Sequence, residues 1–157
     1  MSGRSTEAGF TLVELVTVLL LVGVLAAVAV PRLSQVAGFQ ADGWREQVSA
    51  GLRLGAATAL GHRRLVCASV AADGVLTLRL ASSRNALSCD SDVKGPDGQG
   101  AFSGAAGVAV TATPASFYFQ PNGRVSSDAA GATVVSPSIS AAGVPSIQVR
   151  GESGHVE

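Results

Sequence analysis

From Leu15 to Pro31 the chain carries no charged residue: LVTVLLLVGVLAAVAVP. At ~1.5 Å per residue, a helix from Phe10 to Val30 is roughly 30 Å long, the thickness of a bilayer core. The rest of a 157-residue chain is too little to wrap a core helix that is apolar on every side. A cleaved secretory signal is another reading, since Ala26-Ala27-Val28-Ala29 offers the small residues of a cleavage site. Against it stand Glu14, near the start of the run, and the short polar leader that ends at Gly9.

Glu14 is the residue that calls for a role. A carboxylate at membrane depth costs about 2.5–3.5 kcal/mol on insertion scales and needs a partner. Phe10 lies one helical turn before it. Cutting the chain between Gly9 and Phe10 would create an α-amino cation at that depth, and a neighbouring subunit could present its amine to the Glu14 carboxylate. The simpler alternative is a glutamate that snorkels to the end of the span.

Charge excludes other classes. Eleven Lys and Arg balance eleven Asp and Glu, so net charge supplies no counterion-release term for nucleic acid. The 47% apolar content is too high for a disordered chain. A mean hydropathy of +0.39 points to a buried or membrane segment.

The segment Gly9-Phe10-Thr11-Leu12-Val13-Glu14-Leu15, continued through the apolar run to Pro31, resembles the prepilin cleavage and methylation motif of type IV pilins and type II secretion pseudopilins. The resemblance implies an α+β type IV pilin fold, with a long N-terminal helix packed on a small antiparallel β-sheet head. It implies that residues 1–9 are a leader, that a prepilin peptidase cuts after Gly9 and methylates Phe10, and that Glu14 is the assembly carboxylate. The implied partners are other major and minor pilins or pseudopilins, the inner-membrane assembly platform, and membrane lipid before assembly. One departure is the leader MSGRSTEAG, in which Arg4 is offset by Glu7, so its positive-inside signal is weak.

Beyond Pro31 the helix is expected to continue, since proline can kink a helix without ending it. Val36, Phe39, Gln40, Trp44, Val48, Leu52 and Ala56 recur at helical spacing, with Asp42, Arg45, Glu46 and Arg53 between them. The pattern predicts an amphipathic helix to about Leu60, with Gly61 as its stop. Trp44 reads as a core or membrane-interface anchor. Strands are expected at Arg64–Val70, Val75–Leu80, Val108–Thr113, Phe117–Gln120, Thr133–Ser136 and Ile147–Arg150. Turns are expected at Asp73-Gly74 and Pro121-Asn122-Gly123, and a long surface loop at Asn85–Gly107. The resulting division is a leader at 1–9, a transmembrane half-helix at 10–31, an amphipathic periplasmic half at 32–61, and a β-rich head at 62–157.

The head resembles the GspH/FimT group through ALGHRRLVCASV, FYFQPNGR at Phe117–Arg124 and IQVRGESGHV at Ile147–Val156. Pro31-Arg32, FQADGWREQVSAGLRLGAATA, and Cys89 followed by Gly95-Pro96 resemble the minor pilin of mannose-sensitive-haemagglutinin (MSHA) type pili. A secretion pseudopilin and a DNA-uptake minor pilin share the N-terminal motif and stand as alternatives.

Cys67 and Cys89 fall in the expected periplasmic part, an oxidising compartment, so a disulfide is the reading, with free thiols or half a metal site as alternatives. No metal site or cofactor is expected: CxxC spacing is absent, and His62 and His155 are remote in sequence. Asp90, Asp92 and Asp97 could suggest calcium, but their spacing fits no EF-hand, and a solvated acidic loop is the simpler reading. No catalytic residue is expected, because G-x-S-x-G, P-loop and dinucleotide fingerprints are absent. His62 reads as a helix C-terminal residue and His155 as an exposed position on the last strand. His62-Arg63-Arg64 is short and lacks interleaved aromatics, and Glu152 and Glu157 would repel phosphate, so nucleic acid is not an expected partner.

Overall fold

The computed structural model describes residues 11–95, 98, 100, 102–103, 106–107 and 109–157, without the side chains of 28–39. The chain divides into two units, Met1–Val36 and Ala37–Glu157. One helix, α1, spans Leu12–His62 and contributes to both.

In the first unit every side chain from Thr11 to Ala27 is exposed, including Leu12 at 78% and Leu25 at 68%. Such a surface is stable only against lipid or other apolar helices. Thr17 satisfies its hydroxyl within the helix, donating to the carbonyls of Val13 (2.8 Å) and Glu14 (2.9 Å), so it adds no unpaired polar group to that surface. Among the described residues no helix is long and apolar enough to cross a membrane. The expected span at 10–31 runs past Thr11–Ala27 at both ends, into positions outside the described side chains.

The second unit is an α+β head, a type IV pilin-like arrangement of helix on antiparallel sheet. Its strands are β1 (Val66–Val70), β2 (Leu76–Leu80), β3 (Ser91–Asp92), β4 (Val110–Thr113), β5 (Ser116–Phe119), β6 (Val125–Ser126), β7 (Ser138–Ala141) and β8 (Ile147–Gln148). They form a sheet ordered β3-β2-β1-β5-β6 and a smaller one ordered β4-β7-β8. In the central register Ala68 faces Leu78 on one side and Phe117 on the other. Leu76, Leu78, Phe117 and Phe119 are fully buried, and the two phenylalanines meet edge to face at 5.6 Å.

The helix seats on this sheet through Trp44, Val48, Leu52 and Ala59, all buried in one core cluster with the strand residues. Ala56 is partly buried beside them. Gly51 and Gly55 make the approach close. A Cβ at Gly51 would lie 2.8 Å from Leu76 Cδ2, and one at Gly55 would lie 3.2 Å from Phe119 Cε2. Trp44 is a core anchor, 4% exposed, and its Nε1 donates to the Gly74 carbonyl at 2.8 Å. Val36 and Phe39, expected on the same face, lie outside the described side chains.

The helix passes the expected stop at Gly61 and ends one residue later. Arg63 takes a left-handed conformation (φ 52°), Arg64 N donates to the Ala59 carbonyl and Arg63 N to the Leu60 carbonyl. This is a Schellman cap with arginine where glycine is the unstrained choice. Arg63→Gly is expected to raise stability by about 0.5–1 kcal/mol, read as an upward shift of the thermal midpoint.

Four expected strands are present as β1, β2, β4 and β5, each shorter at one or both ends or shifted by a residue, and β8 keeps only the start of Ile147–Arg150. The turn at Asp73-Gly74 is present, with Gly74 N donating to the Ala71 carbonyl and Val75 N to Asp73 Oδ1. Thr133–Ser136 is a correction: it holds only the bridge Ser126↔Val134, because Asp128 takes the N–H groups of Ala132 and Thr133. The pairing strand lies beyond it, as β7. Asn85–Gly107 is also corrected. It contains β3, and Phe102, Ser103 and Ala106 are buried, with Phe102 N donating to the Leu76 carbonyl.

Candidate functional site

The N-terminal turn of α1 holds the first candidate. Thr11 Oγ1 accepts from Glu14 N at 3.3 Å, and Glu14 Oε2 accepts from Thr11 N at 3.5 Å and Thr11 Oγ1 at 3.4 Å. The pattern is a capping box, T-x-x-E, which satisfies two orphan donors of the helix end reciprocally. It also favours a negative charge at the positive end of the helix dipole. The consequence for Glu14 is positional: its carboxylate is folded back toward the start of the helix and is held next to the residue that follows Phe10. Gly9 and Phe10 themselves lie outside the described residues.

The second candidate is the staple on the head. Cys67 on β1 and Cys89 are joined by a disulfide, with Cα atoms 6.1 Å apart. The bond ties the loop after β2 back to the centre of the larger sheet. Replacing both cysteines by serine is expected to cost about 3 kcal/mol of unfolding free energy in the loop-entropy picture, measured by denaturant titration, with a raised m-value as the unfolded chain is freed to expand.

The acidic residues near the staple are already engaged. Asp92 pairs with Arg79 at 3.1 Å. The Ser82 hydroxyl above all, with Ser88, holds the Asp90 carboxyl below the usual aspartate range. Asp97 lies outside the described residues, and among the described residues no group of three or more His, Cys, Asp or Glu could hold a metal. His62, Arg63 and Arg64 sit together at the exposed C-terminal end of α1, while His155 lies on the chain's last segment, which pairs back on β8 through Gln148 and Glu157.

A buried polar clasp follows β5. Gln120 Nε2 donates to Ser126 Oγ at 2.8 Å, and Ser126 Oγ donates to the Asp128 carbonyl at 2.7 Å. The N–H groups of Ala132 and then Thr133 hold the Asp128 carboxyl below its usual range. Because the folded state binds the deprotonated form better, this stabilisation is full above the ordinary aspartate pKa of about 3.9 and fades as pH falls through the lowered folded value. Asp128→Asn is therefore expected to lower the thermal midpoint at pH 7, with the gap to wild type closing in acid.

Two of these features have a sequence signal: Thr11-x-x-Glu14 before an apolar run is the signature of a capped helix start, and Asp128 with Gly131 marks a loop. No local pattern marks the buried pairing of Gln120 with Ser126.

Comparison with family models finds the prokaryotic N-terminal methylation motif over residues 4–30. No curated protein and no solved structure matches. The motif, joined to the α+β head, supports a type IV pilin or pseudopilin. It implies processing by a prepilin peptidase, a membrane-anchored stage, and assembly with other pilins. Such subunits are generally structural rather than enzymatic.

Proposed function

We propose that the chain is a minor pilin of the GspH/FimT kind, built into an MSHA-like type IV pilus or its initiating tip complex. The prepilin peptidase cuts between Gly9 and Phe10 and methylates the Phe10 amine. The helix beginning there holds the chain in the inner membrane with the head in the periplasm, and then packs among the helices of other subunits. Glu14 pairs with the amine of a neighbouring subunit as it enters the filament. The observation that carries the pilin part of this reading is the methylation motif over residues 4–30, which takes in a helix exposed on every side from Thr11 to Ala27 and apolar there but for Glu14 and two threonines; the choice of the GspH/FimT and MSHA-like kind rests on the resemblance of the head segments. That surface has no stable place in water, and membrane and filament core both provide one.

Deleting the gene and shearing surface filaments from the cells tests the assignment. Loss of filaments with unchanged levels of exported enzymes is expected. Intact filaments with exported enzymes trapped in the periplasm would make the chain a secretion pseudopilin. Loss of DNA uptake alone would make it a receptor of the FimT type.

A further inference from the structure

Beside the last turns of α1 the head has an open groove of about 790 Å³. Arg53, Ala56 and Ala57 of the helix form one wall, and Arg150, His155 and Glu157 stand on the other. Leu60, Gly154 and Val156 complete the lining, so two guanidinium groups and an imidazole border a partly apolar surface. Arg53 Nη2 touches only the Val156 carbonyl, at 3.5 Å, and no carboxylate lies within ion-pair distance of it among the described residues. Arg150 Nε is bound by the carboxylate of Glu157.

We propose that this groove receives an acidic peptide segment of another protein, with the Glu157 side chain as the internal placeholder that such a segment displaces. The chain itself shows that a carboxylate fits. Arg150 holds the Glu157 carboxyl below the usual glutamate range, chiefly through their hydrogen bond, so the placeholder is charged at neutral pH. Arg53 stands ready as a second donor on the opposite wall. Planar guanidinium groups suit carboxylates because they offer paired donors. One feature sets nucleic acid aside: no Phe, Tyr or Trp lines the groove to stack a base. The groove lies wholly within the head, and its chemistry is independent of how the N-terminus is processed.

The test uses the full chain in zwitterionic detergent and a short fluorescent peptide of alternating Glu and Ala, followed by anisotropy. Glu157→Gln removes the placeholder and is expected to tighten binding by roughly threefold to tenfold, about 0.6–1.4 kcal/mol. Arg53→Gln, at an exposed position, is expected to weaken it by a similar factor, with an unchanged thermal midpoint certifying the fold. The Gln-for-Glu version of the peptide should not bind. The proposal is overturned if neither the wild type nor Glu157→Gln binds the acidic peptide, if Glu157→Gln weakens binding, or if the Gln peptide or a thymidine oligonucleotide binds as well.

Discussion

Phe117→Ala is expected to remove about 3–5 kcal/mol from the stability of the head, the usual cost of truncating a fully buried phenylalanine. The ring sits on β5 opposite Ala68 of β1, and Phe119 meets it edge to face. Little is free to collapse into the space it leaves. The facing position is already an alanine, and Gly55, which would meet Phe119 and Leu78, has no side chain to move inward. A domain of this size has a total stability of roughly 5–15 kcal/mol, so the variant should lose a large share of it and unfold at a much lower denaturant concentration. Denaturant unfolding followed at Trp44 checks it. A loss under 1 kcal/mol would mean that the helix and sheet are less tightly packed than their contacts imply.

Glu14→Gln is expected to leave the chain folded and processed, yet to reduce its incorporation into filaments at least tenfold, the equivalent of about 1.4 kcal/mol of lost pairing. The choice of glutamine separates two roles. Glutamine also serves in a capping box, so Thr11 keeps its reciprocal partner while the charge is lost. Thr11→Val does the opposite, spoiling the cap while retaining the carboxylate. If Glu14 acts by its charge, Gln fails and Thr11→Val assembles. If it acts only as a cap, the pattern reverses. Comparing each variant's amount in sheared filaments with its amount in membranes decides between them.

The long apolar helix and the β-rich head were legible because each rests on a strong period: an uncharged run at the N-terminus, then Trp44, Val48 and Leu52 at helical spacing, then Leu76, Leu78 and Leu80 alternating along β2. The elements with no sequence signal lack a period. β7 is Ser-Ile-Ser-Ala, with a single large apolar residue, and it pairs because β4 and β8 flank it. β3 and β6 are two residues each, too short to show alternation. Phe102 lies in a Gly-rich stretch that reads as solvent-exposed, and it is buried where Gly51 of α1 leaves room for it beside Leu76. The helix ends one residue past Gly61, at His62, because the cap geometry falls on Arg63. At the N-terminal site the residue types are legible in the sequence, and the structure adds the reciprocal Thr11–Glu14 bonding. The basic groove was invisible because Arg53 and Arg150 are far apart in the chain and meet only in the fold.

The most direct measurement is mass spectrometry of sheared filaments beside washed membranes, searching for the chain's N-terminal peptide. A peptide that begins at Phe10, carries one methyl group on its α-amine and occurs in the filaments is the predicted result. A mature chain that still begins at Met1, or one cut after the small residues around Ala29, would contradict the account at its root.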